Sequence, residues 1–275
     1  MSLPTWEVFA LRYATVSRRR LEMFIDHDLH DGPQEMDYFV WLIRRGDDVV
    51  LVDTGFNRAQ ADLRGRRFLR CPIGSLDRAG IPVDAIRDVV ITHAHYDHAG
   101  NLDLLPRARF HLQEREMNYA TGRDMRQKLM RHAYCVDDVC SLVRLVFEDR
   151  VEYHDGDWEL RPGLTVHLVA GHTRGLQVVR VHTARGWIVL ASDAAHYLEN
   201  FAERSPFPIV ADVGDMLRGH DLLERLAESP AHVVPGHDPI VMSRYARTGP
   251  AELEIVSLTE PLPQAPAAAP RARAR

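Results

Sequence analysis

The run His93-Ala94-His95-Tyr96-Asp97-His98 places four metal-binding side chains within six residues. It follows Val89-Val90-Ile91, an apolar triplet that reads as a short buried strand. Four ionisable groups so close together cannot all be buried without partners, because an unpaired charge in an apolar interior is costly. In an irregular turn leaving a strand, however, residues two, four and five apart can converge on one point. Imidazole nitrogens and carboxylate oxygens are ligands of zinc and similar ions, and catalytic sites leave one position open for water. The bland alternative is a solvated His/Asp loop. The full H-x-H-x-D-H spacing argues against it far more strongly than a lone H-x-H would.

Three later positions share that setting. His172 follows a strand-like stretch ending at Ala170, Asp193 follows one ending at Ala191, and His237 follows one ending at Val234. A rigid sheet can hold a side chain at each exit while the loop aims it. Each residue alone would pass for an ordinary turn residue. Together they point to one site.

The elements that must position these residues are legible in outline. Residues 38–43 and 49–52 are β-rich runs joined by a turn at 44–48, and Asp53-Thr54-Gly55 ends the second. Helices are expected at 75–79, briefly after Pro82, and from 114 to about 147 with a break at Gly122. Strands are expected at 164–169, 177–182, 187–191 and 232–234, and an amphipathic helix at 213–228. This alternation, without a repeat or an internal linker, suggests two sheets covered by helices. We expect one domain over residues 1–260 with a helical insert near 114–148. Residues 261–275, almost entirely Pro, Ala and Arg, are predicted to be a disordered tail.

The chain resembles the metallo-β-lactamase superfamily in this ligand series: His93, His95, Asp97, His98, His172, Asp193 and His237. The resemblance runs from about Tyr38 to Ile240 and implies an α/β fold, a four-layer αββα sandwich with the ligand loops along one edge. It implies one divalent ion on His93, His95 and His172, a second on Asp97, His98 and His237, and Asp193 bridging them. Asp53 matches the aspartate that orients a ligand histidine. Zinc is the default metal, with iron, cobalt or manganese acceptable to such ligands. Within the superfamily, residues 92–101 (THAHYDHAGN), 192–201 (SDAAHYLENF) and 234–239 (VPGHDP) are most similar to the N-acyl-homoserine lactonase group. That likeness implies hydrolysis of a lactone ester, and so quorum quenching. Members of that group carry a tyrosine three residues after the bridging aspartate. Here that position is His196, with Tyr197 beside it. Both, with Asp97, are candidate catalytic residues.

Other members of the superfamily fit less well. A β-lactamase would show cysteine in place of Asp193, a glutathione thioesterase would add a helical domain after His237, and a nuclease would add a basic arm. A compact ring such as 4-pyridoxolactone is the competing substrate to an acyl-homoserine lactone. The insert is expected to wall the pocket, with Met117, Tyr119 and Met130 as candidates to line it.

Composition is consistent with this reading. The net charge of -5 gives no support to a nucleic-acid binder held by counterion release. No apolar run approaches the ~20 residues of a membrane helix, and no signal peptide is visible, so no membrane partner is expected. Cys71, Cys135 and Cys140 form no disulfide framework and read as mostly buried, reduced thiols of a cytoplasmic protein. A homodimer is left open. Among the other histidines, His27 and His30 read as a solvated loop that could reach over the site. His111, His132, His154, His167, His182, His220 and His232 read as surface or satisfied residues.

Overall fold

The computed structural model describes residues 3–26 and 31–260. His27 and His30, expected in a solvated loop, and the 261–275 segment, expected to be a disordered tail, lie outside the described residues. The first sheet contains β1 (Glu7–Arg19), β2 (Pro33–Arg45), β3 (Asp48–Val52), β4 (Arg67–Phe68), β5 (Asp88–Val90), β6 (Arg109–Gln113) and β7 (Val151–His154). The second is built from β8 (Trp158–Arg161), β9 (Leu164–Leu168), β10 (Gln177–Thr183), β11 (Gly186–Ser192) and β12 (Val233–Pro235). Two short strands, β13 (Ala246–Thr248) and β14 (Ile255–Ser257), return to the outer edge of β1. The first sheet runs β13-β14-β1-β2-β3-β5-β6-β7 with β4 on β1, and the second runs β12-β11-β10-β9-β8.

Three apolar layers hold the sheets and helices together. Between the sheets, Val8, Ala10, Phe39, Trp41, Val50 and Val52 meet Val166, Val179, Val181, Ile188 and Leu190. The far face of the first sheet buries Val40, Leu51, Val89 and Phe110 against Ile73, Leu76, Leu142 and Leu145 of its covering helices. The far face of the second buries Val178, Val189 and Ala191 against Leu223 and Leu226. Helix, sheet, sheet, helix is therefore the order of the layers, as the αββα expectation required. In β2 the residues from Met36 to Ile43 are all buried, which is why that strand reads as a continuous apolar run instead of an alternation.

Strand β1 is the longest strand absent from the expected set, which also lacked β4, β6, β7, β8, β13 and β14. The helical stretch between β6 and β7 is divided into Glu114–Ala120, Lys128–Arg131 and Val136–Phe147, with one 3-10 turn, Arg123–Arg126, between the first two. Of the cysteines, Cys135 is buried, Cys71 is half-buried and Cys140 is exposed, so burial is less general than expected. Among the described residues no helix is long and apolar enough to cross a membrane.

Candidate metal centre

Each member of the ligand series sits just beyond a strand or in the turn it feeds. The His93–His98 turn follows β5, His172 follows β9, Asp193 follows β11 and His237 follows β12. β5, β9 and β11 lie inside their sheets and β12 is the edge strand beside β11, and the exits of all four gather at one edge of the sandwich. Two positions there adopt left-handed backbone without being glycine, Asp53 (φ 62°) and Ser192 (φ 45°). Such strain costs on the order of 1–3 kcal/mol and concentrates at functional sites. A close backbone approach completes the edge: a Cβ on Gly236 would lie 2.5 Å from the Ser192 carbonyl oxygen. The residue before His237 must therefore be glycine for its loop to meet the Asp193 loop.

The side chains converge in two overlapping groups. His93 Nε2, His95 Nδ1 and His172 Nε2 form a triangle with edges of 3.0, 3.1 and 2.8 Å. Asp97, His98 and His237 form the second group, and Asp193 stands between the two. All seven are buried. Burial, reinforced by neighbouring imidazoles, pushes His93 and His95 well below the usual histidine range, so both are neutral. Burial opposes the charged forms of His98 and His237 too, but Asp193 and its neighbouring carboxylates outweigh it and raise both. Burial also disfavours the Asp193 carboxylate, yet His237, His196, His98 and His172 together hold it well below the usual carboxylate range.

Supporting hydrogen bonds fix each ring. His98 Nδ1–H donates to Asp53 at 2.7 Å, and the same carboxylate accepts from the Thr92 N–H and hydroxyl at 2.7 and 2.8 Å. His172 Nδ1–H donates to the Ile209 carbonyl at 2.6 Å, and His237 Nδ1–H to the Asp37 carbonyl at 2.8 Å. Each ring so held presents Nε2 to the cluster, the nitrogen that a bound metal would take in place of a proton. Three buried atoms there, His98 Nε2, His237 Nε2 and Asp193 Oδ1, have no hydrogen bond of acceptable geometry among the described residues. Unpaired buried polar atoms require an explanation. Ligand atoms ~2.0–2.1 Å from one tetrahedral ion stand about 3.3 Å apart, close to the spacing found here. The His/Asp cluster fits a bound metal.

The catalytic candidates separate. His196 is buried, stacks on Phe207 with ring centroids 3.3 Å apart, and directs Nε2–H to Asp193 Oδ2 at 2.9 Å. Burial lowers its pKa to about 3, against the pull of Asp193, so the ring is neutral. Tyr197 is turned away. Its hydroxyl donates to the Glu35 carbonyl at 3.1 Å and lies 3.6 Å from Met23 Sδ, because Tyr197 begins the helix Leu198–Ala202. That placement corrects the expectation that it faces the reacting groups.

The matching edge holds residues that the sequence reading missed. Glu116 is fully buried and accepts hydrogen bonds from the Ala94 N–H at 3.0 Å, the Tyr134 hydroxyl at 3.0 Å and the Gly175 N–H at 3.2 Å. It thus ties the first ligand loop to the one carrying His172. A glutamate on the buried face of a helix, in register with Tyr119 and Ala120, was the available signal.

A cavity of about 320 Å³ opens onto His95, Asp97, His172, Asp193 and His196. The insert supplies His132 and Ala133 to its wall, whereas Met117, Tyr119 and Met130 are not among its lining residues. Met117 and Tyr119 belong to the apolar layer beneath. A larger surface cleft, about 700 Å³, lies beside Asp212 and Asp215 and includes none of the cluster side chains.

One neighbour gives a pH prediction. His220 donates from Nε2 to the Ala194 carbonyl at 3.0 Å, and burial lowers its pKa to about 4. A depressed folded-state pKa stabilises the fold above the unfolded value near 6.5, and that contribution is lost as pH falls toward the folded value. The loss is on the order of 3 kcal/mol. Denaturant unfolding of wild type and His220→Leu at neutral and acidic pH should show a smaller acid loss in the variant. Equal acid losses would assign the effect elsewhere.

Sequence comparison matches the model of the metallo-beta-lactamase superfamily to residues 35–237, a span that contains the whole ligand series and Asp53. The chain belongs to the metallo-beta-lactamase superfamily. It is 27% identical over 185 residues to the N-acyl homoserine lactonase AiiA of Bacillus thuringiensis subsp. kurstaki, covering 61% of this chain and 68% of that one. It is 28% identical over 180 residues to the N-acyl homoserine lactonase AttM of Azorhizobium caulinodans, covering 61% and 64%. A crystal structure of a quorum-quenching N-acyl homoserine lactone lactonase superposes with a TM-score of 0.73 at 21% identity, covering 87% of this chain and 95% of that one. At that identity the superposition speaks for the superfamily fold.

Proposed function

We propose that this metallo-beta-lactamase-fold chain is a dinuclear hydrolase that opens the ester ring of a small lactone. The observation that carries the reading is the pair of overlapping His/Asp groups sharing Asp193, side chains of which line a cavity of about 320 Å³. His93, His95 and His172 would hold one ion, Asp97, His98 and His237 the other, and Asp193 would touch both. Two ions held so, zinc by default, would supply water activation near neutral pH and polarisation of an ester carbonyl. Asp53, through His98, and the Ile209 and Asp37 carbonyls, through His172 and His237, keep the rings aimed. His196 keeps Asp193 from turning, and with Phe207 stacked on it excludes water from that side.

The lactonase relatives support N-acyl homoserine lactones, and so quorum quenching, as the substrate class. A second reading, hydrolysis of another compact lactone or ester such as 4-pyridoxolactone, is favoured by the cavity, whose wall includes Arg18, Arg64 and Arg66 as well as Met36 and Ile209. Metal content and initial rates on short-chain, long-chain and aromatic lactones test both. We expect two ions per chain and turnover of at least one lactone, lost in His95→Ala. Two bound ions with no hydrolysis of any lactone or ester would end the lactonase reading.

A further inference from the structure

The arginines of the cavity wall are not neutralised as others in the protein are. Arg12 is paired with Asp37 and Glu254, Arg70 with Glu254, and Arg161 with Asp48 and Asp88. By contrast, among the described residues neither Arg64 nor Arg66 has a carboxylate within ion-pair distance, and Arg18 reaches Glu22 at 3.9 Å. Arg64 is committed to building the wall. It donates to Gln60 at 3.2 Å and to the His132 and Tyr134 carbonyls at 2.8 and 3.1 Å, and lies 3.9 Å over the Tyr96 ring.

Arg66 is different. Its Nε donates to the Tyr96 hydroxyl at 3.1 Å and its Nη1 to the Arg64 carbonyl at 2.8 Å. Those two bonds fix the plane of the guanidinium, and Nη2 makes no hydrogen bond among the described residues. A rigid, half-buried guanidinium with one nitrogen unspent is a preorganised anion receptor, since little side-chain freedom is left to lose. Asp97, also in the cavity wall, acts on Arg66 electrostatically without an ion pair to it, and faces His98 and His237 in the metal-binding cluster.

We infer that the substrate carries an anionic group, a carboxylate or one of like shape, which docks on Arg66 while its ester lies at the His/Asp cluster. The second half of this statement rests on the hydrolase reading above. Arg64 adds charge behind the site, and Met36, Phe207 and Ile209 are left to cover the hydrocarbon between the two ends. A neutral acyl-homoserine lactone offers Arg66 only uncharged carbonyl acceptors, which form weaker hydrogen bonds with a guanidinium than a carboxylate does. A compact lactone bearing an acid group uses the whole cavity.

The test needs no turnover. Metal-loaded protein is titrated calorimetrically with short α,ω-dicarboxylates and with the monocarboxylates of the same lengths. Either ligand can place one carboxylate at the cluster, but the second carboxylate of the dicarboxylate needs a second receptor. Wild type should prefer the best dicarboxylate about tenfold or more, as a charge-assisted hydrogen bond allows. Arg66→Gln should shrink that preference to about twofold, and Arg66→Lys should restore part of it. Should Arg66→Gln fail to fold, the Arg66→Lys ratio and a wild-type preference that falls with added salt decide the matter. Equal affinities in wild type, or a preference that survives Arg66→Gln, would overturn the assignment. In parallel, neutral lactones and their carboxylate-bearing analogues are compared for turnover. No turnover of either ends the hydrolase reading while the dicarboxylate result stands. Equal turnover without a dicarboxylate preference ends the anion site and leaves the hydrolase.

Discussion

Asp193→Asn should reduce kcat/KM by about a thousandfold and leave at most one ion bound per chain. The carboxylate is the point at which both ligand groups meet. Its Oδ2 lies 3.2 Å from His172 Nε2 and 2.9 Å from His196 Nε2, while Oδ1 lies 3.0 Å from His237 Nε2 and 3.2 Å from His98 Nε2. Asparagine keeps the shape and removes the charge. One of its two terminal atoms becomes an NH2 that points hydrogens at ring nitrogens or at a cation, so either orientation spoils one group. His95→Ala should be milder for metal content, since His95 belongs to one group and not to both. Elemental analysis of dialysed protein, with lactone kinetics and a thermal unfolding curve to confirm folding, checks the result. A folded Asp193→Asn that keeps two ions and a tenth of the activity would deny Asp193 its bridging place.

How much of this was readable beforehand follows from the range of the interactions. Ligands at strand exits were visible because each needs only a short apolar run followed by His or Asp, both local in sequence. The layers were visible through apolar runs such as 38–43. Strand β1 was not, because Arg12 interrupts its apolar residues and Arg18 and Arg19 end it, and its place is set by a long pairing with β2 and by β14 from the far end of the chain. Tyr197 could not be placed from its neighbours. Its direction depends on where a helix starts and on Met23 and Glu35, residues more than 160 positions away. Glu116 and Arg66 escaped for the same reason. Charged residues in helices and loops are usually solvated, and what makes these two matter is a tertiary neighbour.

Glu116 should therefore have the largest effect of any residue outside the ligand set. Among the described residues its buried carboxylate has no ion pair with arginine or lysine, and burial raises its pKa despite the hydrogen bonds that favour the charged form. Charge is disfavoured at this position, so what the carboxylate supplies is its three accepted hydrogen bonds. One oxygen takes the Ala94 N–H and the Tyr134 hydroxyl, and the other takes the Gly175 N–H. Ala94 separates His93 from His95, and Tyr134 packs edge-on against the His95 ring with centroids 4.5 Å apart. Gly175 is pressed so close that a Cβ there would sit 2.1 Å from the Glu116 nitrogen. Glutamine has one acceptor oxygen and must face at least one of these backbone N–H groups with its own NH2, a loss of about 1–3 kcal/mol. Loosening the His93–His95 turn from the His172 loop by even ~1 Å is enough to cost about a hundredfold in rate. We expect Glu116→Gln to lower kcat about a hundredfold, to leave KM within about threefold, and to weaken metal retention against a chelator by about ten- to a hundredfold. Glu116→Ala should add a marked drop in unfolding midpoint, because a cavity joins the lost bonds. The discriminating quantity is metal retention at matched stability. If Glu116→Gln unfolds earlier yet holds its ions as tightly as wild type, the carboxylate supports the fold and not the geometry of the ligands.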